Sequence, residues 1–333
     1  MRMFGGFSVF ALMPKKEYTK EPKTFAEQVD LLTSRGLYIP NKERAKGILS
    51  RISYNRLSNY WYPMLKEPKN EEQFKANSNF ETIFKLYQFD SELRALVFQA
   101  IEQIEIAVRT QIIYHLSHKH GDGFWFLEKD YYQSIKAYNR ALSKIMDAVQ
   151  ESKQPFIQKY KQTYSNELPP SWKSFELLSF RAIYSIYKNV NRSPEKLAIS
   201  DFFGLNYEVF ISWLDTLVYI RNICAHHARL WNTILTISPV WPRSPRGPWV
   251  ERWENEPENE GTKDKKLKTY AALCIIQFIL TKSNPYHHFD RDLSALLSKY
   301  PEVDIKHMGF TDHWEAEELW SLRQLRFIES EGG

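Results

Sequence analysis

The stretch SELRALVFQAIEQIEIAVRTQIIYHLSHK, residues 91–119, decides the fold class of this chain. It contains no Gly and no Pro, and its apolar residues recur three or four positions apart, as on one face of an α-helix. Ile106 and Ile113 add apolar positions to the opposite face. A helix that is apolar nearly all round is typical of the middle of a bundle, so we expect this helix to be central.

Helix signals continue on both sides of this stretch. Thr24 with Glu27, and Ser78 with Glu81, have the spacing of a capping box, and Asn41 is expected to cap a second helix. Further helices are predicted over about residues 130–153, 173–190, 194–203, 207–229, 265–282 and 290–299. No alternation typical of β-strands stands out, so the predicted class is all-α.

The composition along the chain predicts four parts. Residues 1–23 are expected to form an N-terminal tail, residues 24–70 an N-terminal helical extension, residues 71–283 the helical core, and residues 284–333 a C-terminal extension. Within the core, residues 238–263 are rich in Pro, Trp and charge, which predicts a loop or insertion. The Trp residues of this stretch are expected to pack on another element.

The composition also excludes several classes of protein. The chain has 333 residues and only 12 Gly, and it lacks the Gly-rich motifs of dinucleotide-binding and P-loop folds. It has no run of about 18 apolar residues, so a membrane-spanning helix is not expected. The net charge of +5 permits a polyanionic partner without requiring one. With two Cys and no small-residue cleavage site after the apolar residues 1–13, the chain is expected to be cytoplasmic.

The strongest candidate for chemistry is RNICAHHARLW, residues 221–231, on a predicted helix. Asn222 and His226 are one helical turn apart and therefore share a face. Arg221 falls on the apolar side, where a guanidinium needs a carboxylate, a phosphate or a route to water. Two interpretations stay open at this point: a site for a phosphate group, or a buried ion pair beside a hydrogen-bonded seam.

Metal ligands occur only as partial sets. Cys224 with His227 is one such set, and His115, His118 and His120 form another. Neither has the repeated paired spacing of a structural zinc site. No metal and no other cofactor is therefore predicted.

The string RNICAHHARLWN, residues 221–232, also resembles the signature of the Abi family, the AbiD/AbiF-like abortive-infection proteins. Its R-x4-H motif is similar to that of the HEPN superfamily, which is largely made of metal-independent ribonucleases. Other segments resemble successive blocks of the family in the same order: FAEQVDLLTSRGL at 25–37, SYNRLSNYWYP at 53–63, FDSELRALVFQAIEQIEIAVRTQI at 89–112, SWKSFELLSF at 171–180, FFGL at 202–205 and MGFTDHW at 308–314. The Trp/Pro-rich stretch matches none of them.

The resemblance implies a HEPN-like helical bundle that cleaves RNA through Arg221, Asn222 and His226. The residue types suit that reaction, because His can act as acid or base near neutral pH and Arg keeps a fixed charge for phosphate. Related enzymes pair two motifs across a two-fold interface. One motif per chain therefore implies a homodimer with a composite site.

By the same resemblance, the chain is expected to act in phage defence or as the toxin of a toxin–antitoxin system. Its expected partners are an RNA substrate and a small antitoxin RNA or another antitoxin; no membrane partner is expected. A non-catalytic RNA-binding module and a helical interaction scaffold remain alternative functions. A metal-dependent nuclease is disfavoured, because no carboxylate cluster with the spacing of metal ligands stands out.

Further residues are candidates for RNA contact or for support of the site. They are His227, Arg229, Glu102, Glu105, Arg109, Arg56, Tyr60 and Trp61. Simpler roles stay open for all of them: cations at a helix end for His227 and Arg229, an ordinary i,i+4 pair for Glu105 and Arg109, and aromatic packing for Tyr60.

Overall fold

A computed structural model describes residue 17 and residues 19–242, 246–250 and 266–321. These residues form helices joined by turns, and no β-strand occurs among them, so the predicted all-α class is confirmed. Most of the predicted N-terminal tail, two parts of the predicted insertion (243–245 and 251–263) and the last twelve residues lie outside the described residues. The chain forms two compact units, residues 1–84 and 85–333. The four parts predicted from composition remain a prediction.

The first unit contains three helices and the first turn of a fourth. They are α1 (Phe25–Ser34), α2 (Lys42–Leu49), α3 (Tyr54–Trp61) and α4 (Phe80–His120), the last of which continues into the second unit. The predicted capping box at Thr24 is present, because its hydroxyl accepts from the Glu27 amide at 3.3 Å and the Glu27 carboxylate accepts from the Thr24 amide at 2.6 Å. Asn41 caps α2 as predicted, since its side chain accepts from the amide of Arg44 at 2.9 Å.

The capping box predicted at Ser78 is wrong. The Ser78 hydroxyl donates instead to the carbonyl of Met64 at 3.5 Å. Asn79 accepts from the amide of Glu81 at 2.8 Å and satisfies one of the free N–H groups at the start of α4. Asn and Ser are comparable caps, so the contact with Met64 decides which of the two neighbours takes that role.

The second unit contains the remaining helices. They are α5 (Ile135–Glu151), α6 (Pro155–Thr163), α7 (Ser171–Ser174), α8 (Phe180–Asn189), α9 (Pro194–Phe202), α10 (Tyr207–Ala225), α11 (Thr269–Ser283) and α12 (Phe289–Lys299). Helix α10 packs against α8, α9 and α11, which makes it a central element of this unit. None of the helices in the described ranges is both long enough and apolar enough to cross a membrane.

Helix α4 is buried on one side and open on the other. The predicted apolar face is inaccessible to solvent at Leu93, Val97 and Ile104, among others. Ile106 on the opposite face is 52% exposed and Phe98 is 37% exposed, so the expectation of burial nearly all round is wrong. The helix therefore presents a solvent-facing stripe that carries large apolar side chains.

The described part of the Trp/Pro-rich stretch packs on two helices, as its Trp content predicts. The Trp249 ring stacks on Trp213 of α10, with 5.3 Å between centroids, and lies edge-on to Phe278 of α11 at 5.6 Å. Trp241 joins the same cluster, 6.2 Å from Trp213. The Trp213 indole also donates to the carbonyl of Val240 at 2.9 Å. This stretch therefore extends the core of the second unit beside α10.

Candidate active site at the end of helix α10

Helix α10 ends one turn earlier than the sequence predicts. The prediction ran to about Arg229, whereas the last helical residue is Ala225 and His226 is the C-cap. The amide of His227 donates to the carbonyl of Cys224 at 3.1 Å, and the amide of Ala228 donates to that of Ile223 at 2.9 Å. These two bonds form a Schellman motif, which satisfies carbonyls that a helix end otherwise leaves open.

His227 occupies the position of this motif that usually carries Gly. Its φ of 55° is in the left-handed region, which is uncommon for a residue with a side chain. His226 and His227 are both exposed. The two imidazoles are therefore presented on the turn after α10 rather than on the face of a continuing helix.

Arg221 lies at the rim of a cleft against α4. Its guanidinium carbon is 5.4 Å from the centroid of the Phe98 ring, within the range of a cation–π contact. The side chain is half-buried and makes no ion pair with any described residue. The cleft has a volume of about 290 Å³ and is lined by Phe98, Glu102, Glu105, Ile106, Arg109 and Arg221.

Glu102, Glu105 and Arg109 of α4, which were predicted to support the site, therefore line the same cleft as Arg221. Arg109 pairs with Glu105 at 2.9 Å, as an i,i+4 pair, and with Glu176 at 3.2 Å. Burial raises the pKa of Glu105, while the charges of Arg109 and Arg221 oppose that rise. Arg109 is thus held by carboxylates, whereas Arg221 lines the cleft without an ion pair to a described residue.

The other members of the motif occupy less enclosed positions. Asn222 is half-buried one turn before the exposed His226, and neither side chain hydrogen-bonds to a described residue. Arg229 is half-buried in the segment that follows the turn. Arg221 is on the last turns of α10, whereas His226 is its C-cap.

Asp90 and Arg94 were not among the predicted site residues, yet they hold the segment after His227. The Asp90 carboxylate accepts from the amide of Leu230 at 3.0 Å and from that of Trp231 at 2.7 Å. Arg94 is ion-paired with Asp90 and donates to the carbonyl of Ala228 at 3.4 Å. The sequence signal was an i,i+4 acid–base pair on the buried side of α4, where charged residues are rare unless they are paired.

Arg56 and Tyr60 lie on α3 in the first unit. Tyr60 is 1% exposed and the neighbouring Trp61 is buried as well, so neither ring has a free face on which a base can stack. Trp61 lies edge-on to Tyr54, with 4.9 Å between centroids. Arg56 is half-buried. This burial favours aromatic packing over RNA contact for Tyr60 and Trp61.

The partial metal-ligand sets do not form a site. Burial raises the pKa of the Cys224 thiol to about 12, so the thiol is protonated near neutral pH. His120 stacks on Tyr131 at 3.8 Å and His118 lies against Tyr114 at 4.2 Å. Within the described residues, no group of three or more His, Cys, Asp or Glu is arranged to hold a metal ion.

The end of α10 carries two groups suited to RNA chemistry: the permanently charged guanidinium of Arg221 and the exposed imidazole of His226. Arg221 can bind a phosphate oxygen through its planar fork of donors. The imidazole of His226 is a group that can take up or donate a proton in acid–base catalysis. Comparison with known protein families found a match to the family described as Abi-like protein. The match covers residues 47–232, which include Arg221 and His226. Comparisons with curated proteins and with solved structures each gave no match.

Proposed function

Since the chain belongs to the Abi-like protein family, we propose that it acts in abortive infection, as a metal-independent endoribonuclease or the toxin of a toxin–antitoxin pair. The observation that carries this proposal is the presence of a fixed cation, Arg221, and an exposed imidazole, His226, at the end of α10. Arg221 lies at an open cleft with no ion pair to a described residue, and His226 is exposed on the following turn. An Arg that served only as a buried ion-pair partner would instead face a carboxylate at short range.

The proposed reaction is attack of a ribose 2′-hydroxyl on the adjacent phosphorus. An imidazole takes the 2′-hydroxyl proton as the new P–O2′ bond forms, and the P–O5′ bond breaks as the 5′ oxygen receives a proton. The products are a 2′,3′-cyclic phosphate and a 5′-hydroxyl, so atoms and charge balance without a metal ion. Arg221 stabilises the added negative charge on the phosphoryl oxygens, and Asn222 orients the imidazole or binds a phosphate oxygen.

This reaction uses both an acid and a base, and we propose that a homodimer supplies them as His226 from each of two chains. Phe98 and Ile106 support this arrangement, because large apolar side chains exposed beside the cleft suit contact with a second copy. A form that light scattering shows to be monomeric should therefore lose cleavage. Full activity of such a monomer would contradict the composite site while leaving the nuclease proposal intact.

The test of the nuclease proposal compares the purified wild type with Arg221→Ala and His226→Ala on a mixed RNA pool in the presence of a chelator. We expect the wild type to produce cyclic-phosphate ends and each variant to lose at least about 100-fold in rate. His313→Ala is the matched control, because His313 is another exposed imidazole. Tight RNA binding without cleavage by the wild type would favour a non-catalytic RNA-binding module.

The biological part of the proposal is tested in cells. Phage resistance or toxicity should disappear in Arg221→Ala and His226→Ala and persist in His313→Ala. If both site variants retain the full effect, the helical-scaffold interpretation is correct. We also propose that a small RNA or another antitoxin partner restrains the toxin. Sequencing of the RNA that co-purifies with the wild type tests for a small antitoxin RNA.

A further inference from the structure

The buried pair Asp90 and Arg94 contributes more than packing to this end of the molecule. Asp90 is 0% exposed and Arg94 is 5% exposed, and they are ion-paired one turn apart on α4. We infer that the two are positioning residues, which fix the path of the chain after α10 and thereby hold His226 in place. This inference rests on the proposed function of His226 and adds two residues to the same site.

The first support is that both charges act on one short segment. Asp90 accepts hydrogen bonds from two successive backbone amides, those of Leu230 and Trp231, and Arg94 donates to the carbonyl of Ala228. Successive amides that point to one carboxylate require a tight local backbone path. The segment 228–231 is thus held by side chains of α4 rather than by a regular element of its own.

The second support is that this segment is anchored from other directions too. The hydroxyl of Thr269, at the start of α11, donates to the carbonyl of Leu230 at 2.6 Å. On the other side, the Schellman bonds to Cys224 and Ile223 fix the end of α10. His226 and His227 therefore lie between the bonded end of α10 and the anchored Leu230. Only a narrow range of backbone paths connects these two fixed points.

The third support is the left-handed backbone of His227, with φ of 55°. A residue with a side chain persists in that region when the surrounding structure determines its conformation. The conformation of His227 is determined by the hydrogen bonds of Asp90 and Arg94 with residues 228–231, here called the clamp, together with the Schellman bonds at the end of α10. Without the clamp, the turn would be expected to sample other conformations and to move the imidazole of His226 with it.

Stability alone is a weak reason for such a pair. Removing two charges from water costs several kcal/mol per ion, and replacement of a buried ion pair by apolar residues of similar volume is often neutral or stabilising. An apolar pair, however, cannot accept hydrogen bonds from the amides of Leu230 and Trp231. The specific contribution of Asp90 and Arg94 is therefore the geometry of the segment beside His226.

The experiment uses the full chain with Asp90→Leu, which keeps a side chain of similar size and removes both acceptor oxygens. The double variant Asp90→Leu with Arg94→Met covers the case in which an unpaired guanidinium prevents folding. Glu92→Gln is the matched control, because Glu92 is a carboxylate on the same helix that pairs with Lys299 at 2.7 Å instead.

The first measurement is the side-chain NMR signal of His226, assigned through His226→Ala, together with hydrogen exchange at the amides of Leu230 and Trp231. In Asp90→Leu we expect faster exchange at both amides and a shifted His226 signal. The signal of His118, about 42 Å further along α4 from Asp90, should not move. Faster exchange with an unchanged His226 signal would overturn the inference and leave Asp90 a purely structural role.

The second measurement is RNA cleavage. We expect kcat to fall by up to about 100-fold in Asp90→Leu with little change in KM, because a misplaced group affects the chemical step more than binding. An unchanged kcat in both Asp90 variants would also overturn the inference. If the wild type cleaves no RNA, the proposed function fails, and the NMR measurement still decides whether Asp90 positions His226.

Discussion

The guanidinium carbon of Arg221 lies 5.4 Å from the centroid of the Phe98 ring, which places a cation on the aromatic face at the edge of the cleft. Contacts of this kind contribute about 0.5–1 kcal/mol at exposed sites. This contact with the ring uses none of the hydrogen-bond donors of the guanidinium. A phosphate that enters the cleft can therefore bind the full fork of the guanidinium.

Phe98→Leu should weaken catalysis while the chain stays folded. The change keeps an apolar side chain but removes the aromatic face, so we expect kcat/KM for RNA to fall by about two- to fivefold. Phe156→Leu is the matched control, because Phe156 carries Lys173 at 5.6 Å in a similar contact. Equal losses in the two variants, measured by RNA cleavage rates, would show that the Phe98 ring has no special effect on Arg221.

His227→Gly should separate the backbone of His227 from its side chain. Gly adopts the left-handed conformation without steric cost, so the free energy of unfolding is expected to rise by about 1 kcal/mol. RNA affinity should fall, because the exposed imidazole beside the site is lost. Denaturant titration and RNA binding measure the two effects.

His313→Gly is the control for this prediction, since His313 is also left-handed, with φ of 57°. It should show the gain in stability without the loss of affinity. If His227→Gly binds RNA as tightly as the wild type, His227 serves only the helix end.

Thr269→Val should destabilise the second unit and loosen the turn after α10. The Thr269 hydroxyl donates to the carbonyl of Leu230 at 2.6 Å in a buried position, and Val leaves that carbonyl without this bond. We expect a loss of about 1–3 kcal/mol in thermal or denaturant unfolding. Thr281→Val is the comparison, because its hydroxyl bonds within α11, to the carbonyl of Phe278. A larger loss at Thr281 would contradict the importance of the Leu230 anchor.

The ion pair of Lys119 with Glu195, at 2.8 Å, predicts a pH dependence of stability. The hydrogen bond from Lys119 lowers the pKa of Glu195 to about 2 from an ordinary value of 4.5. Because the unfolded chain takes up this proton first as the pH falls, the contribution of Glu195 is present above pH 4.5 and is lost towards pH 2.

Glu195→Gln tests this dependence through unfolding curves recorded from pH 7 down to pH 2. The wild type should exceed the variant by no more than about 1 kcal/mol at neutral pH, since a partly exposed pair contributes little. The difference should shrink as the pH falls. A difference that does not change with pH would show that the carboxylate charge is not its source. Glu208→Gln, which breaks the more exposed pair with Arg192, should change stability less.

The sequence by itself determined the helices, because they depend on local chemistry. The 3–4 spacing of apolar residues in α4, the capping box at Thr24 and the Asn cap of α2 are all present as predicted. It also made Glu102, Glu105 and Arg109 candidates for support of the site, since periodicity assigns each of them to a face of its helix.

Only the tertiary structure decided where α10 ends and what holds the turn after it. The pattern continued to about Arg229, whereas the helix stops at Ala225, and the segment that follows is bound by Asp90 and Thr269, which are distant in sequence. The exposure of Ile106 and the burial of Tyr60 were likewise set by what packs around them. Periodicity defines the faces of a helix, whereas the burial of each face depends on long-range contacts that a local pattern does not encode.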